Sequence, residues 1–382
     1  MNPAQLAQSL KAEACQQGFD FVGIAPALDA RGYSRFNNWL DDGFYGEMEY
    51  LQTRRIAYQH PRGVLPEARS VMMLAMSYHT DQASADCQPG RGRIARYAWG
   101  QVDYHDYIHK KLKLLCRSIN GHLPDATVRG VVDTAPLLER EFAQLAGLGW
   151  HAKNTMLIHP KLGSWFLIAA VLLDVELEYD APFEAAHCGT CTACIAACPT
   201  DAFVKPGVMD ATRCISYLTI EHRSPIPVEF RPMMQDWILG CDICQNVCPW
   251  NNKAQTTSHE VFEPLPELTP LDLHGLFRLD DDGFRARFRK TPLWRPKRRG
   301  ILRNAAIALG NNPSAKGLET LGLGIKDSEP LVRGAAAWAI DQHRLVPEFA
   351  VDSQSLLRDA VASESDPIVV DEIEQAIAAG DS

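Results

Sequence analysis

The sequence predicts an α/β N-terminal domain, a bacterial ferredoxin-like module for two iron–sulfur clusters, and a C-terminal tail of α-helical HEAT-like repeats. Three observations lead there. The first 180 residues alternate strand-like and helix-like hydrophobic periods. Eight of the eleven cysteines fall between residues 188 and 250 at cluster-ligand spacing. An alanine-rich helical pattern recurs in the tail at an offset of 30 residues. The expected domains are 1–180, 181–260, a basic connector over 261–300, and 301–382.

The opening MNPAQLAQSLKAEACQQG has no charged segment ahead of an apolar core, so it reads as an amphipathic helix and not as a signal peptide. FDFVGIAPA reads as a strand. SVMMLAMSY, from Ser70 to Tyr78, is a second strand, continuous enough to be buried on both faces. Residues 104–120 are expected to be helical, and ATVRGVVD (Ala126 to Asp133) to be a strand. TAPLLEREFAQLAGLG should form a helix with Pro136 in its first turn and Leu138, Phe142 and Leu145 on one face. SWFLIAAVLLDVEL supplies the next strand. Its apolar run, Trp165 to Leu173, is too short to cross a bilayer. Hydrophobic residues at 46% and charged residues at 22% are ordinary for a soluble globular protein. Thiolate clusters suit a reducing compartment, so a cytoplasmic monomer with no membrane partner is expected.

The cysteines run Cys188-x2-Cys191-x2-Cys194-x3-Cys198-Pro199, then Cys214, then Cys241-x2-Cys244-x3-Cys248-Pro249. In the bacterial ferredoxin run the cysteine before proline ligates the other cluster. Two such half-runs should exchange their last ligands. Cys188, Cys191, Cys194 and Cys248 then hold one [4Fe–4S] cluster, and Cys198, Cys214, Cys241 and Cys244 hold the second. Cys214 lies 27 residues before Cys241, so an inserted segment must fold back to close the second site. Zinc accepts any Cys-x2-Cys pair, but this double run favours iron–sulfur. Cys15, Cys87 and Cys116 are isolated and read as reduced, packed thiols. Clusters pass electrons singly, so bond chemistry needs a further centre.

Asp133 ends a strand and precedes the Pro136 helix, at an edge where α/β sheets build sites. Partial burial could keep it protonated as a general acid; the alternative is a helix N-cap. Nearby polar groups that could grip a bulky cofactor are Asp103, Tyr104 and His105, and Lys153, Asn154, Thr155, Gly163 and Ser164. Turn chemistry is the competing reading. No P-loop and no strand-linked dinucleotide fingerprint is present. The formal charge of −9 disfavours nucleic acid on average, but residues 285–303 carry nine basic groups and no acid. These are Arg285, Arg287, Arg289, Lys290, Arg295, Lys297, Arg298, Arg299 and Arg303, interleaved with Phe284, Phe288 and Trp294. The pattern suits phosphate contact and base stacking, or else a solvated linker face.

Together, GEMEYL, RYAWGQVDYH, VVDTAPLLER, AKNTMLIHPKLGSWF, CGTCTACIAACPTDAF, CISYLTIE, CDICQNVCPWN and GILRNAAIALGN resemble the epoxyqueuosine reductase family, over nearly the full length. The resemblance implies a base-off cobalamin in the N-terminal domain, two [4Fe–4S] clusters, tRNA carrying epoxyqueuosine as substrate, and an external one-electron donor of flavodoxin or ferredoxin type. It implies that Asp133 is the proton donor, that Ser216 beside Cys214 lies at the cofactor, and that Asp242 and Gln245 share that neighbourhood. Relatives carry an arginine three residues before the proline of RRIAYQHP. This chain has Tyr58 there, with Arg54 and Arg55 the candidates to take over. The chain lacks the D-x-H-x-x-G signature of histidine-ligated cobalamin, as base-off binding without a protein histidine predicts. The rivals are a cobalamin-dependent reductive dehalogenase-like enzyme, which explains neither the basic stretch nor the absence of an export signal, and a two-cluster electron carrier, which leaves the first 180 residues without a purpose.

Overall fold

The structure, a computed structural model, describes residues 2–82 and 88–378; Cys87 lies outside the described residues. The chain groups into two compact units built from separated segments. One comprises Met1–Asp81, Val102–Thr212 and Ile243–Phe262; the other comprises Gln82–Gln101, Arg213–Asp242 and Glu263–Ser382.

The first unit is mixed α/β. Its sheet runs in the order Phe21–Pro26, Ser70–Ser77, Phe166–Leu173, Val128–Val132. The long apolar strands take the two central positions, and Ser70–Ser77 is buried along its whole length. Every pairing is antiparallel. That corrects the expected site logic, because antiparallel strands share no carboxyl edge. Val128–Val132 is instead an edge strand, and Asp133 follows its end. The helix Tyr104–His122 packs on this strand at Gly130, where a Cβ would meet Leu112 Cβ at 3.0 Å and Cys116 Sγ at 3.3 Å. The opening helix Pro3–Gln16 is capped by a reciprocal Asn2–Gln5 box and buries Leu6, Ala7, Leu10 and Ala14. Cys15 on that helix is exposed, not packed as expected.

The helix expected from Thr134 starts later, at Glu139, and ends at Leu145. Residues 133–139 instead form tight three-residue turns, with Thr134 N–H donating to Val132 O (2.6 Å), Leu137 to Ala135 O (2.8 Å) and Glu139 to Leu137 O (2.8 Å). The Pro136 ring biases Ala135 away from helical ψ, which opposes a helix starting at Thr134.

The second unit pairs Arg91–Ile94 with Trp237–Leu239 on one side and Leu271–Asp272 on the other. Its tail contains the helices Asp281–Phe288, Lys297–Asn311, Ala315–Gly324, Pro330–Arg344, Ala350–Val361 and Pro367–Ala378. The two sequence-similar stretches fall on Lys297–Asn311 and Pro330–Arg344, which pack so closely that a Cβ on Gly310 would lie 2.8 Å from Ala339 Cα. The third, looser copy coincides with Pro367–Ala378, whose start is held by Asp366 Oδ1 accepting the Ile368 N–H (3.0 Å).

The basic stretch divides. Arg285, Arg287, Arg289, Lys290, Arg295, Lys297 and Arg299 are exposed. Arg298 is buried in a two-pronged ion pair with Asp327, with Nη1 to Oδ1 at 3.1 Å and Nη2 to Oδ2 at 2.5 Å, so it is withdrawn from any phosphate. Arg303 is also buried. The expected stacking aromatics are corrected too. Phe284 and Phe288 are core residues, and Trp294 is half-buried beneath Lys297 Nζ, 4.0 Å from its ring centroid. The 3.6-residue period of the Asp281–Phe288 helix turns both phenylalanines inward while the arginines between them face water.

Candidate active site and cluster module

Asp133 is a non-glycine residue at φ +58°, a left-handed conformation that costs of order 1–2 kcal/mol unless its surroundings impose it. They do so from three sides. Its N–H donates to Glu139 Oε1 at 3.0 Å. Its Oδ2 accepts the Tyr104 hydroxyl at 3.1 Å and lies 2.9 Å from His105 Nε2. The next carbonyl, Thr134 O, takes the Arg54 guanidinium at 2.9 Å. Asp133 therefore caps no helix. Nor does the expected burial occur: its side chain is 42% exposed.

Tyr104 and His105 reach Asp133 because Asp103 caps the helix Tyr104–His122, accepting the His105 N–H at 3.0 Å. The same Asp103 Oδ1 lies 2.7 Å from His105 Nδ1, and the Tyr104 and His105 rings stack at 4.0 Å. Burial alone would lower the His105 pKa, but hydrogen bonds to Asp103 and Asp133, reinforced by their charges, raise it to about 9. His105 is thus an imidazolium at neutral pH, bracketed by two carboxylates. Burial, and next the charge of Asp133, push the Glu139 carboxyl up to about 8. Tyr58 is buried against Phe36, with ring centroids 4.8 Å apart. Arg54, not Arg55, reaches the acidic loop; Arg55 is committed to Asn37 and Asp41. Sequence reasoning missed Glu139, because nothing in its period or spacing marks a side chain that accepts a backbone N–H six residues upstream.

The other expected cofactor contacts fall elsewhere. Lys153, Asn154 and Thr155 form the tip of a hairpin joining Trp150–His151 to Leu157–Ile158, with Thr155 at φ +65°. Lys153 Nζ donates to Gly189 O (2.7 Å) and Cys191 O (2.9 Å), and Asn154 Nδ2 to Cys244 O (3.3 Å). Both brace the cysteine loops. Ser164 joins a buried amide network: its N–H donates to Asn251 Oδ1 (2.6 Å), Gln245 Nε2 donates to its Oγ (2.9 Å), and so does Asn251 Nδ2 (2.9 Å). Gly163 makes room for it, since a Cβ there would lie 2.1 Å from Asn251 Oδ1. In the second unit, buried Asp242 accepts the Arg96 N–H at 2.7 Å, and Ser216 is half-buried on the helix Ile215–Ile220.

Cys188, Cys191, Cys194 and Cys248 lie near one another. Cys248 is buried in an apolar nest with Trp150, Ala152 and Ile158, against which Cys188, Phe183 and Trp250 pack. Burial raises the Cys248 pKa, N–H donors from Trp250 and Asn251 oppose it, and Cys188 and Cys191 raise it further. Cys194 likewise feels burial first, then Cys248 and Cys188. Trp150 Nε1 is buried without a partner in this nest, a donor that a cluster sulfide or thiolate would satisfy. Cys198 Sγ accepts the Ala202 N–H at 3.4 Å. Among the described residues no three His, Cys, Asp or Glu side chains group as ligands of one metal ion. No helix among them is long and apolar enough to cross a membrane.

A strained acid loop wired to an imidazolium, in one unit with a thiol nest suited to an iron–sulfur cluster, defines a redox enzyme that also handles protons. Residues 187–251 match the family model of a 4Fe-4S double cluster binding domain, and residues 59–134 match that of epoxyqueuosine reductase QueG. An epoxyqueuosine reductase of Pseudomonas aeruginosa is 38% identical over 90% of this chain and 96% of its own, and that of Escherichia coli K12 is 38% identical over 88% and 89%. The chain belongs to the epoxyqueuosine reductase family. A crystal structure of such a reductase with an epoxyqueuosine-modified tRNA-Tyr stem loop is similar at 32% identity and a TM-score of 0.89, covering 99% of both chains. One from Bacillus subtilis, whose aspartate-bearing catalytic loop is swung out of its active site, is similar at 32% and 0.88, covering 98% of both.

Proposed function

We propose that this chain reduces epoxyqueuosine to queuosine at the wobble position of tRNA in the cytoplasm, drawing electrons from an external flavodoxin- or ferredoxin-type donor. The observation that carries the reading is the Asp103–His105–Asp133 chain, which ends on the loop where the family's motif VVDTAPLLER stands. Reduction of an epoxide to an alkene consumes two electrons and two protons and releases one water. The protein must therefore deliver protons to an oxygen that leaves poorly as an alkoxide. The His105 imidazolium passes its proton across the 2.9 Å contact to the Asp133 carboxylate, and the carboxylic acid so formed gives it to that oxygen. Asp103 fixes the ring orientation through Nδ1, and the Tyr104 hydroxyl donates to the same Asp133 Oδ2.

Cys188, Cys191, Cys194 and Cys248 are proposed to hold the first [4Fe–4S] cluster, and Cys198, Cys214, Cys241 and Cys244 the second. When bound, these clusters and a base-off cobalamin supply single electrons and a reductant strong enough for a C–O bond. The exposed Asp133 carboxylate with Tyr104 and His105 suits the cofactor and substrate side. Lys153, Asn154, Ser164 and Gln245 spend their polar atoms on the protein. The exposed Arg285, Arg287, Arg289, Lys290, Arg295, Lys297 and Arg299 contact tRNA phosphates around a splayed anticodon base, with the helical tail acting as a HEAT-like support.

The test is anaerobic turnover of epoxyqueuosine tRNA with added cobalamin and reduced donor, read as loss of one oxygen from the nucleoside. Asp133→Asn should retain iron and corrinoid and lose turnover by about 10²–10⁴-fold. Wild-type protein that takes up iron without corrinoid, or an Asp133→Asn variant with full turnover, would overturn the reading.

A further inference from the structure

The inserted segment between Cys198 and Cys241 carries one cysteine, Cys214, and must present it in register with Cys241. Within the second unit, both residues hang from one buried polar node that belongs to the helical tail. Arg303 and Asn304, on the helix Lys297–Asn311, are 1% and 0% exposed. Every N–H of the Arg303 guanidinium is used. Nη1 donates to His222 O and Ser224 O (2.8 Å each), Nη2 to Leu218 O (2.6 Å) and Asn304 Oδ1 (2.9 Å), and Nε to Asn304 Oδ1 (3.0 Å). Asn304, oriented by that guanidinium, donates through Nδ2 to Thr219 O and Ile238 O, both at 2.9 Å.

Those acceptors lie on the two cysteine-bearing segments. Cys214 is the N-cap of the helix Ile215–Ile220, which contains Leu218 and Thr219. Ile238 is in the strand Trp237–Leu239, which leads through Gly240 into Cys241. A second link joins them directly, because buried Thr219 Oγ1 accepts the Gly240 N–H at 2.9 Å and donates to Ile215 O at 2.8 Å. Gly240 has no slack: it sits at φ +68°, and a Cβ there would lie 2.5 Å from Ala95 Cβ. On the far side of Cys241, Asp242 is pinned to the Arg96 N–H.

An apolar node would bury the same surface but let the two segments slide. Directional bonds from one amide to both segments fix their offset. A cluster needs that offset, since its thiolates must meet four fixed irons. We propose that Arg303 and Asn304 are positioning residues for the second [4Fe–4S] cluster, holding Cys214 and Cys241 in ligating register, so that the helical tail is a part of cluster assembly. The proposal rests on the ligand assignment given above.

The experiment uses full-length wild type, Asn304→Leu and Thr219→Val, reconstituted anaerobically with iron and sulfide. Iron per chain, the integrated electron paramagnetic resonance signal of the reduced clusters, and mapped cysteine alkylation are measured. Wild type should hold about eight irons with all eight cysteines protected. Both variants should fall to about half that iron, with Cys214 and Cys241 alkylated and Cys188, Cys191, Cys194 and Cys248 still protected. Alkylation of Cys214 and Cys241 in the iron-loaded wild type would overturn the ligand assignment instead. Full iron and full protection in both variants would overturn the positioning role, as would loss of protection at all eight cysteines. If Asn304→Leu does not fold, Thr219→Val, which removes one hydroxyl at nearly constant volume, decides.

Discussion

Replacing His105 by Gln isolates the proton chain at Asp133. Glutamine keeps a polar side chain on the helix Tyr104–His122 but carries no exchangeable charge. In the wild type the imidazole lies 2.7 Å from Asp103 and 2.9 Å from Asp133, and its pKa rises from the ordinary 6.5 to about 9. A shift of that size corresponds to about 3 kcal/mol of preference for the charged ring. Because Asp133 is 42% exposed and water screens that half of the interaction, about 1–2 kcal/mol is the expected share in folding. The sign follows from the direction of the shift. A histidine whose pKa is raised on folding contributes in full below its unfolded value of 6.5, and the contribution fades as pH rises through 9. The stability gap between wild type and His105→Gln should therefore be greatest near pH 6 and close by about pH 10, as measured by urea unfolding under argon. Single-turnover reduction of epoxyqueuosine tRNA should fall by about 10²–10⁴-fold, and the alkaline limb near pH 9 should disappear. A variant with unchanged turnover and an unchanged alkaline limb would refute the relay and leave His105 a packing residue.

Two further perturbations separate roles that the sequence merges. Arg298→Met should destabilise the second unit by roughly 3–5 kcal/mol, because it strands buried Asp327, while the salt dependence of tRNA binding stays unchanged. Reversing Arg285, Arg287, Arg289 and Lys290 to glutamate should do the opposite, weakening binding and flattening its salt slope by about one unit for each phosphate no longer neutralised, with the melting temperature kept. Gly163→Ala forces a Cβ to 2.1 Å from Asn251 Oδ1 at φ +60°, so it should lower stability by about 2 kcal/mol or more and reduce iron retention in the module that Asn251 and Gln245 anchor. Normal iron content and stability in that variant would show that the Ser164 network is dispensable.

The cysteine nest is legible because ligand spacing is a local code: three thiols at x2 steps and a fourth before proline state their partners in the order of the chain. The long apolar strands are legible for a similar reason, since runs such as SVMMLAMSY and FLIAAVLL can only be buried. Asp133 can be picked out by its place after a strand, yet its surroundings differ in kind from the expected ones. Partial burial is the expectation; the structure supplies a hydroxyl, an imidazolium and a left-handed backbone instead. Strand direction is not legible either, because an alternating pattern of helices and strands does not say which way each strand returns.

Sequence by itself determined the redox cargo and the basic character of the connector and singled out Asp133 as the candidate acid, since each depends on residue type and short spacing. Only tertiary structure decided which basic residues face water, what holds Asp133, and what fixes Cys214 against Cys241. Those answers depend on hydrogen bonds between positions 28, 66 and 85 residues apart, as in His105 with Asp133, Asn304 with Ile238, and Arg303 with Leu218. A buried guanidinium and an exposed one are the same letter in a sequence. Desolvation and the carbonyls or carboxylates that packing brings to it decide whether it binds a phosphate or holds the fold.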